Sequence, residues 1–182
     1  MFSDAVQYVG LDLPSGFGMS HSHRNLMLFD GSQIPIRSAS IDFVLATEIL
    51  EHVNDLQRLL NEVTRVLRPG GRVFMTTPWS ARLHYEPFDF RRVSPHGMAQ
   101  YATGTGLQLE HVESRGGLAA VISNKILVGC LGRARTNPAW WISIVALAPL
   151  WIPLHILGIL LIVGWRDSKI DPLGFTYVLK KV

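Results

Sequence analysis

The chain has 182 residues, a single cysteine and a formal net charge of +3. This length suits one domain with an extension, and the lone Cys130 excludes an internal disulfide and a cysteine-rich metal site. Residues 1–9 have neither a basic start nor a long apolar run, so no secretory signal peptide is predicted and we expect the folded part to face the cytoplasm.

Two short apolar segments near the amino terminus each end in an aspartate. Residues 8–11 precede Asp12, and residues 26–29 precede Asp30. Both segments are predicted as strands. A carboxylate at a strand end is placed to accept hydrogen bonds from ribose hydroxyls. A lone strand-end aspartate, however, is more often a turn or capping residue.

The next stretch predicts a strand, a helix and a second strand. Residues 41–46 form an apolar run typical of a strand buried on both faces. Helical spacing of apolar residues follows over 56–67 and ends at Pro69-Gly70-Gly71. Residues 72–77 predict a strand parallel to the first, joined to it by a right-handed crossover. Ligands bind outside the carboxyl ends of such strands. The residues at the first of these ends are Ala46, Thr47 and Glu48, and those at the second are Thr77, Pro78 and Trp79.

Four motifs in this order resemble the S-adenosylmethionine-dependent class I methyltransferases, in particular the type 11 domain. They are YVGLD at 8–12, FDG at 29–31, SASIDFVLATEILEHV at 38–53 and RVLRPGGRVFMTTP at 65–78. The resemblance implies an α/β fold: a Rossmann-like parallel sheet with an antiparallel last strand and an apolar helical insertion before it. Residues 84–117 also resemble a bacterial subgroup of this family whose members often have apolar C-terminal insertions.

The resemblance implies S-adenosylmethionine as the cofactor. In the family pattern, the carboxylate matching Asp12 accepts the ribose hydroxyls and the carboxylate matching Asp30 accepts the adenine amino group. The cofactor contacts that follow from the resemblance come from three strand ends: Asp12 and Leu13, Asp30 and Gly31, and Ala46 and Thr47.

The family's first strand and its glycine-rich turn have no counterpart before Tyr8. Gly16 and Gly18 follow the strand that ends at Asp12, so we do not count them as that turn. The chain is therefore expected to start at the family's second strand and to lack the central strand of the sheet. Either it is a fragment of a longer reading frame or it is a degenerate homologue with a weak cofactor site. An open sheet of this kind also predicts self-association.

Residues 84–92 follow the second strand of the crossover and contain the candidate catalytic residues. Methyl transfer needs an aligned acceptor and, for a hydroxyl acceptor, a base. His84, Glu86 and His52 are candidate bases, and Tyr85 is a candidate orienting group. In the competing interpretation this loop only packs on the sheet, through these aromatic and charged residues: Phe88, Phe90, Asp89, Arg91 and Arg92.

Local spacing predicts no metal site. The only closely spaced histidine pair, His21 and His23, lies in a Gly/Ser-rich stretch without a nearby cysteine. His96 is expected instead near the start of a helix over 95–101, with Ser94 as its N-cap.

The carboxyl-terminal third is basic and contains the most apolar segment. Residues 115–182 have eight basic and two acidic residues, against nine and twelve in residues 1–114. The basic residues flank the uncharged segment 140–165, which has Trp140 and Trp165 at its ends. A continuous helix of this length would reach about 39 Å, more than the roughly 30 Å hydrocarbon core. A membrane, and not nucleic acid, is the predicted partner, with a buried helix pair or dimer interface as the alternative.

Residues 175–182 are predicted as the last strand, antiparallel to residues 107–113. Because Pro149 and Pro153 disfavour a continuous helix, we predict a kinked or re-entrant hairpin of residues 140–147 and 154–165. Pairing of this segment with residues 118–131, or a single span with an undocked last strand, are the alternatives. The predicted organisation has three parts: a partial methyltransferase domain (1–117), a membrane-associated helical segment (118–169) and a returning strand (170–182).

Two functions of different class follow. The first is a methyltransferase at the cytoplasmic face of the membrane that acts on a small or lipid-linked acceptor. The second is a non-catalytic membrane-bound remnant without a complete cofactor site.

Overall fold

A computed structural model describes residues 7–12, 25–28, 33–137, 139–163 and 171–182. Its strands form two sheets. The first pairs β1 (Gly10–Asp12) and β2 (Leu26–Leu28) in parallel. The second contains β3 (Ile41–Thr47), β4 (Leu67–Pro78), β5 (Leu107–Arg115) and β6 (Gly174–Lys181) in the order β3-β4-β6-β5.

The pairing within the second sheet confirms the predicted fold class. Strands β3 and β4 are parallel, and β6 lies antiparallel between β4 and β5. The last strand therefore returns to the sheet as predicted, with Tyr177 opposite Val112. Because β6 runs against both neighbours, β5 points the same way as β3 and β4, and three strands present their carboxyl ends at one edge.

Helix α1 (Leu56–Val66) begins and ends for identifiable reasons. The Asp55 side chain caps it by accepting the Arg58 backbone N–H at 3.0 Å. Its buried face consists of apolar residues at helical spacing: Leu56, Leu60, Val63 and Val66. The helix ends one residue before the prediction, and β4 starts at Leu67, because Leu67 already pairs with Ile41 of β3. Gly71 is required within β4, since a Cβ there would lie 2.9 Å from the Arg68 carbonyl oxygen.

The core lies between the sheet and helices α1 and α2 (Pro95–Thr103). Ser94 caps α2 as predicted, accepting the Gly97 N–H at 3.1 Å. Tyr177 of β6 is fully buried and donates its hydroxyl to the Val93 carbonyl at 2.8 Å. This bond ties the central antiparallel strand to the chain segment that leads into α2, and burial raises the pKa of Tyr177.

The prediction that β3 is buried on both faces is wrong. Val44 and Ala46 point towards the core, whereas Phe43 and Leu45 on the opposite face are 54% and 53% exposed. Within the described ranges β3 pairs only with β4, and no described element covers its other edge or the face that carries Phe43 and Leu45. Strand composition reports what a strand can pack against, and it does not report whether the covering element is present.

Two helices follow β5 in the chain and precede β6: α3 (Leu118–Thr136) and α4 (Ala139–Val163). They pack against each other. The predicted break at the two prolines is wrong, because α4 contains Pro149 and Pro153 within one continuous helix. Each proline removes one backbone donor, and the remaining hydrogen bonds on both sides keep the helix intact. None of the helices, judged over the described residues, combines the length and hydropathy needed to cross a bilayer.

An ion pair on α1 holds the segment that precedes β3. The Arg65 guanidinium hydrogen bonds to Glu62 at 2.8 Å and to the Ile34 and Ile36 carbonyls at 2.7 and 2.9 Å. Glu62 in turn accepts the Ile34 N–H at 2.9 Å. The hydrogen bond from Arg65 lowers the pKa of Glu62 below its ordinary value of 4.5.

We predict that Glu62→Gln lowers the free energy of unfolding by about 1 kcal/mol at neutral pH. Because the folded-state pKa of Glu62 is depressed, the wild-type advantage is complete above pH 4.5 and is lost as the pH falls through the folded pKa. Urea unfolding of both proteins between pH 3 and pH 7 measures this. Glu110→Gln is the control, since its pair with Arg72 is exposed and screened by solvent. An equal loss at every pH would contradict the prediction.

Candidate active site

The carboxyl ends of β3 and β4 lie side by side, with Thr47 opposite Thr76. The chain leaves β3 at Glu48 in a left-handed conformation with φ of 51°, which costs a non-glycine residue roughly 1 kcal/mol or more. The Glu48 N–H donates to the Thr76 carbonyl at 3.1 Å and lies 3.2 Å from the Thr76 hydroxyl. The Glu48 carboxylate pairs with Arg115, the last residue of β5. All three parallel-pointing strands therefore contribute to this edge.

The segment after β3 and the loop after β4 bind each other through their backbones. A 3₁₀ turn, Leu50–His52, follows β3, and residues 79–94 follow β4. The Phe90 N–H donates to the Glu51 carbonyl at 2.8 Å, and the His52 imidazole Nδ1 lies 2.7 Å from the Phe88 carbonyl oxygen. Arg91 donates to the carbonyls of Val53 and Asn54.

This docking brings three rings into edge-to-face contact. The centroids of His52 and His84 are 4.9 Å apart, those of His52 and Tyr85 5.4 Å, and those of His84 and Tyr85 5.6 Å. The Tyr85 residue is 57% exposed, whereas the His52 and His84 side chains are only 16% and 29% exposed. The cluster therefore has a closed side, formed by the histidines, and an open side at the tyrosine.

Glu51 lies at the closed side of this cluster. Its residue exposure is 0%, and neither carboxylate oxygen has a hydrogen-bond partner among the described residues. Oε1 is 3.6 Å from His52 Nε2 and 3.8 Å from His84 Nε2, which is longer than a hydrogen bond. Burial raises the pKa of Glu51, and the neighbouring His52 and His84 oppose that rise.

Asp89 and Arg92 fix the loop. The Asp89 side chain is 1% exposed; its Oδ2 accepts the His84 N–H at 3.0 Å and the Arg92 Nη2–H at 2.9 Å. The hydrogen bond from Arg92 holds the pKa of Asp89 far below its usual range. His84 is thereby held over Glu51 by a carboxylate that stays charged.

The predicted catalytic residues are only partly brought together. His84 and Tyr85 lie in ring contact with His52. Glu86 is exposed, and Asp89 is the carboxylate that contacts His84 and Arg92. The loop also packs on the preceding turn, so the competing interpretation of a packing loop describes the same contacts. Sequence reasoning overlooked Glu51, although a carboxylate within the apolar sequence ILEHV was a signal that it is buried.

The predicted cofactor residues lie partly within the described residues. Asp12 is the last residue of β1, and Ala46 and Thr47 end β3, with Ala46 buried and Thr47 exposed. These positions suit a ligand at the carboxyl edge of the sheets. The remaining predicted residues of interest lie outside the described residues: Leu13, Asp30, Gly31, Gly16, Gly18, His21 and His23.

A family model described as a methyltransferase domain matches residues 3–75. An uncharacterized methyltransferase of Mycobacterium sp. (strain JLS) is 28% identical over 134 residues, which cover 63% of this chain and 50% of that protein. The ubiquinone/menaquinone biosynthesis C-methyltransferase UbiE of Rubrivivax gelatinosus is 30% identical over 79 residues, which cover 41% of this chain and 32% of that protein. The chain thus spans about half the length of the first of these relatives.

Among solved structures, the cyclase SpnF superposes with a TM-score of 0.50 and 15% identity over 86% of this chain and 55% of that chain. At this identity the likeness concerns the fold alone.

We predict that Arg92→Gln lowers the free energy of unfolding by roughly 2 kcal/mol, because it leaves the buried Asp89 carboxylate without its cation. Urea unfolding measures the loss. The control is Arg82→Gln in the same loop, whose exposed guanidinium makes no ion pair among the described residues. Equal stability of the two variants would contradict the role given to Asp89 and Arg92.

Proposed function

We propose that the chain is an S-adenosylmethionine-dependent methyltransferase that transfers a methyl group to a small or lipid-linked acceptor. The match of residues 3–75 to a methyltransferase domain and the likeness to a mycobacterial methyltransferase support this proposal. The observation that carries the proposal is the ring cluster of His52, His84 and Tyr85 beside the carboxyl ends of β3 and β4. In an α/β sheet this is the edge at which ligands bind. The assembled cluster also disfavours a non-catalytic remnant.

The residues near this edge have separate roles in the proposal. Asp12 at the end of β1 accepts the ribose hydroxyls, and Ala46 and Thr47 border the nucleoside at the end of β3. S-adenosylmethionine supplies an electrophilic methyl group on sulfur. The protein therefore has to bind the cofactor, align the acceptor and, for a hydroxyl acceptor, remove its proton.

His52 and His84 are the groups placed to remove that proton. The Nδ1 atom of each ring faces an oxygen acceptor of the loop, and Nε2 of each ring faces Glu51 Oε1, at 3.6 Å for His52 and 3.8 Å for His84. In the proposal one Nε2 takes the proton of the acceptor hydroxyl, and the Glu51 carboxylate stabilises the imidazolium that forms. The methyl group then forms a bond to the acceptor oxygen as its bond to sulfur breaks. Tyr85 on the open side is placed to orient the acceptor.

We expect Asp12→Asn to weaken S-adenosylmethionine binding by roughly 10- to 100-fold, because an amide accepts ribose hydroxyls less well than a carboxylate. Isothermal titration of the detergent-solubilised chain measures this. Asp42→Asn is the matched control, since Asp42 lies near the amino end of β3 and pairs with Arg68. A folded wild-type chain that shows no binding would sink the proposal for this polypeptide.

We further propose that the acceptor is lipid-linked and that it reaches the site at the cytoplasmic face of a membrane. Helices α3 and α4 leave the sheet directly after Arg115, which contacts Glu48 at the site edge. They therefore emerge on the side where the acceptor enters. On α4, the side chains of Ile142, Val145 and Leu150 are 73%, 68% and 65% exposed. Exposed apolar area of this extent favours a membrane surface or another protein.

We expect the chain to float with phosphatidylglycerol vesicles, and the double variant Val145→Ser/Leu150→Ser to bind them at least about tenfold less, because burying each side chain contributes roughly 1.5–3 kcal/mol. Leu83→Ser, in the loop after β4, removes an equally exposed leucine (66%) as the control. The membrane proposal would be overturned if the wild-type chain formed oligomers without vesicles and the double variant did not. That result would show that the exposed face of α4 mediates self-association.

A further inference from the structure

Three potential metal ligands converge at the closed side of the ring cluster. Glu51, His52 and His84 each offer one donor atom, and these atoms all lie within 4.8 Å of one another. The two measured distances to Glu51 Oε1 are 3.6 Å from His52 Nε2 and 3.8 Å from His84 Nε2. In a tetrahedral site with bonds of about 2.0–2.1 Å the ligand atoms lie roughly 3.3 Å apart. The two distances to Glu51 would therefore shorten by roughly 0.3 and 0.5 Å when an ion binds.

Both imidazoles are held with Nε2 towards Glu51. The Phe88 carbonyl can only accept a hydrogen bond, so His52 carries its proton on Nδ1 and has its lone pair on Nε2. His84 Nδ1 lies 3.1 Å from the Arg82 carbonyl oxygen and 3.2 Å from Asp89 Oδ2. Outer contacts of this kind orient metal-binding histidines and increase their basicity.

The Glu51 carboxylate supplies the second, independent indication. It is completely buried, and both oxygens lack a hydrogen-bond partner among the described residues. A buried carboxylate of this kind lowers the free energy of unfolding unless a positive charge compensates it. Arg92, whose charge interacts with Glu51, is already hydrogen bonded to Asp89, and the charge of Glu48 adds repulsion.

We propose that Glu51, His52 and His84 bind a divalent transition-metal ion. Two imidazole nitrogens and one carboxylate oxygen match the ligand set of catalytic zinc sites and of two-histidine-one-carboxylate sites. Three protein ligands leave at least one coordination position for water or for an oxygen of the acceptor. Metal binding itself does not require the cofactor, whereas the effect of the ion on the acceptor rests on the proposed methyl transfer.

The ion would change the role of the two histidines. With Nε2 of each ring coordinated, neither ring could take the acceptor's proton. The imidazoles would instead position the ion, and the ion would lower the pKa of a bound hydroxyl so that its proton could pass to water. The site would then select acceptors that offer an oxygen to the metal, which is a narrower class than any hydroxyl compound.

The test is titration of Zn²⁺ and Co²⁺ into the untagged, detergent-solubilised chain after dialysis against a chelator. The background carries His21→Ser and His23→Ser, which remove the closest histidine pair in the sequence. We expect about one equivalent of Zn²⁺ to bind, and the visible absorption of Co²⁺ to report nitrogen and oxygen ligands in a site of low coordination number.

Variants decide which residues bind the ion. Glu51→Gln keeps the shape of the side chain. His84→Asn changes a loop residue whose side chain is more exposed than that of Glu51, at 29% against 0%. Each should weaken Zn²⁺ binding at least tenfold with an unchanged circular dichroism spectrum. His111→Asn on β5, where the histidine side chain is 59% exposed, should leave binding unchanged.

The possible outcomes separate the two proposals. No Zn²⁺ binding to the folded chain overturns the metal site, as does equal binding by His84→Asn or an equal loss in His111→Asn. Because these titrations contain no S-adenosylmethionine, a failure to bind that cofactor leaves their result unaffected.

Discussion

The site depends on the parallel pairing of β3 with β4. This register puts Thr47 beside Thr76, so the two chain segments that leave these strands start as neighbours. The hydrogen bonds of Glu48 to Thr76 and of Phe90 to Glu51 then bring the segments together. His52 and His84 meet only because of this docking, since each belongs to a different segment. A disturbance of the strand pairing would therefore reach the rings even without a change in any residue of the cluster.

Two buried carboxylates in this region have opposite electrostatic surroundings. Asp89 accepts hydrogen bonds from Arg92 and from a backbone N–H, which keeps its pKa low. Glu51 accepts no hydrogen bond from the part of the chain that the structure describes, and burial raises its pKa. The first arrangement stabilises the loop. The surroundings of Glu51 lower the free energy of unfolding and are typical of groups that act on a ligand or bind one.

Much of the fold could be predicted from the sequence, because it depends on local patterns. Apolar spacing and capping by Asp55 and Ser94 indicated α1 and α2, and the motif order indicated the returning strand β6. The exposed face of β3 could not be predicted, because exposure depends on elements far away in the chain. Continuity of α4 through Pro149 and Pro153 depends on a balance of hydrogen bonds that residue identity alone does not decide. The cluster of Glu51, His52 and His84 brings His84 to two residues more than thirty positions earlier in the chain. Motif spacing predicts only contacts between residues that are close in sequence, so it could not indicate this cluster.

The position of β6 between β4 and β5 has a consequence for synthesis. Thr76 pairs with Thr176, so the four-stranded sheet cannot be completed until β6, Gly174–Lys181, has left the ribosome. Contacts this distant in sequence form late and slowly. The apolar helices α3 and α4 emerge earlier, while β4 and β5 still lack the strand that joins them. Until then a nascent chain exposes these apolar helices and the unpaired edges of β4 and β5, which favours aggregation. A chain cut before Gly174 would keep the pairing of β3 with β4 but would lack the strand that joins β5 to β4.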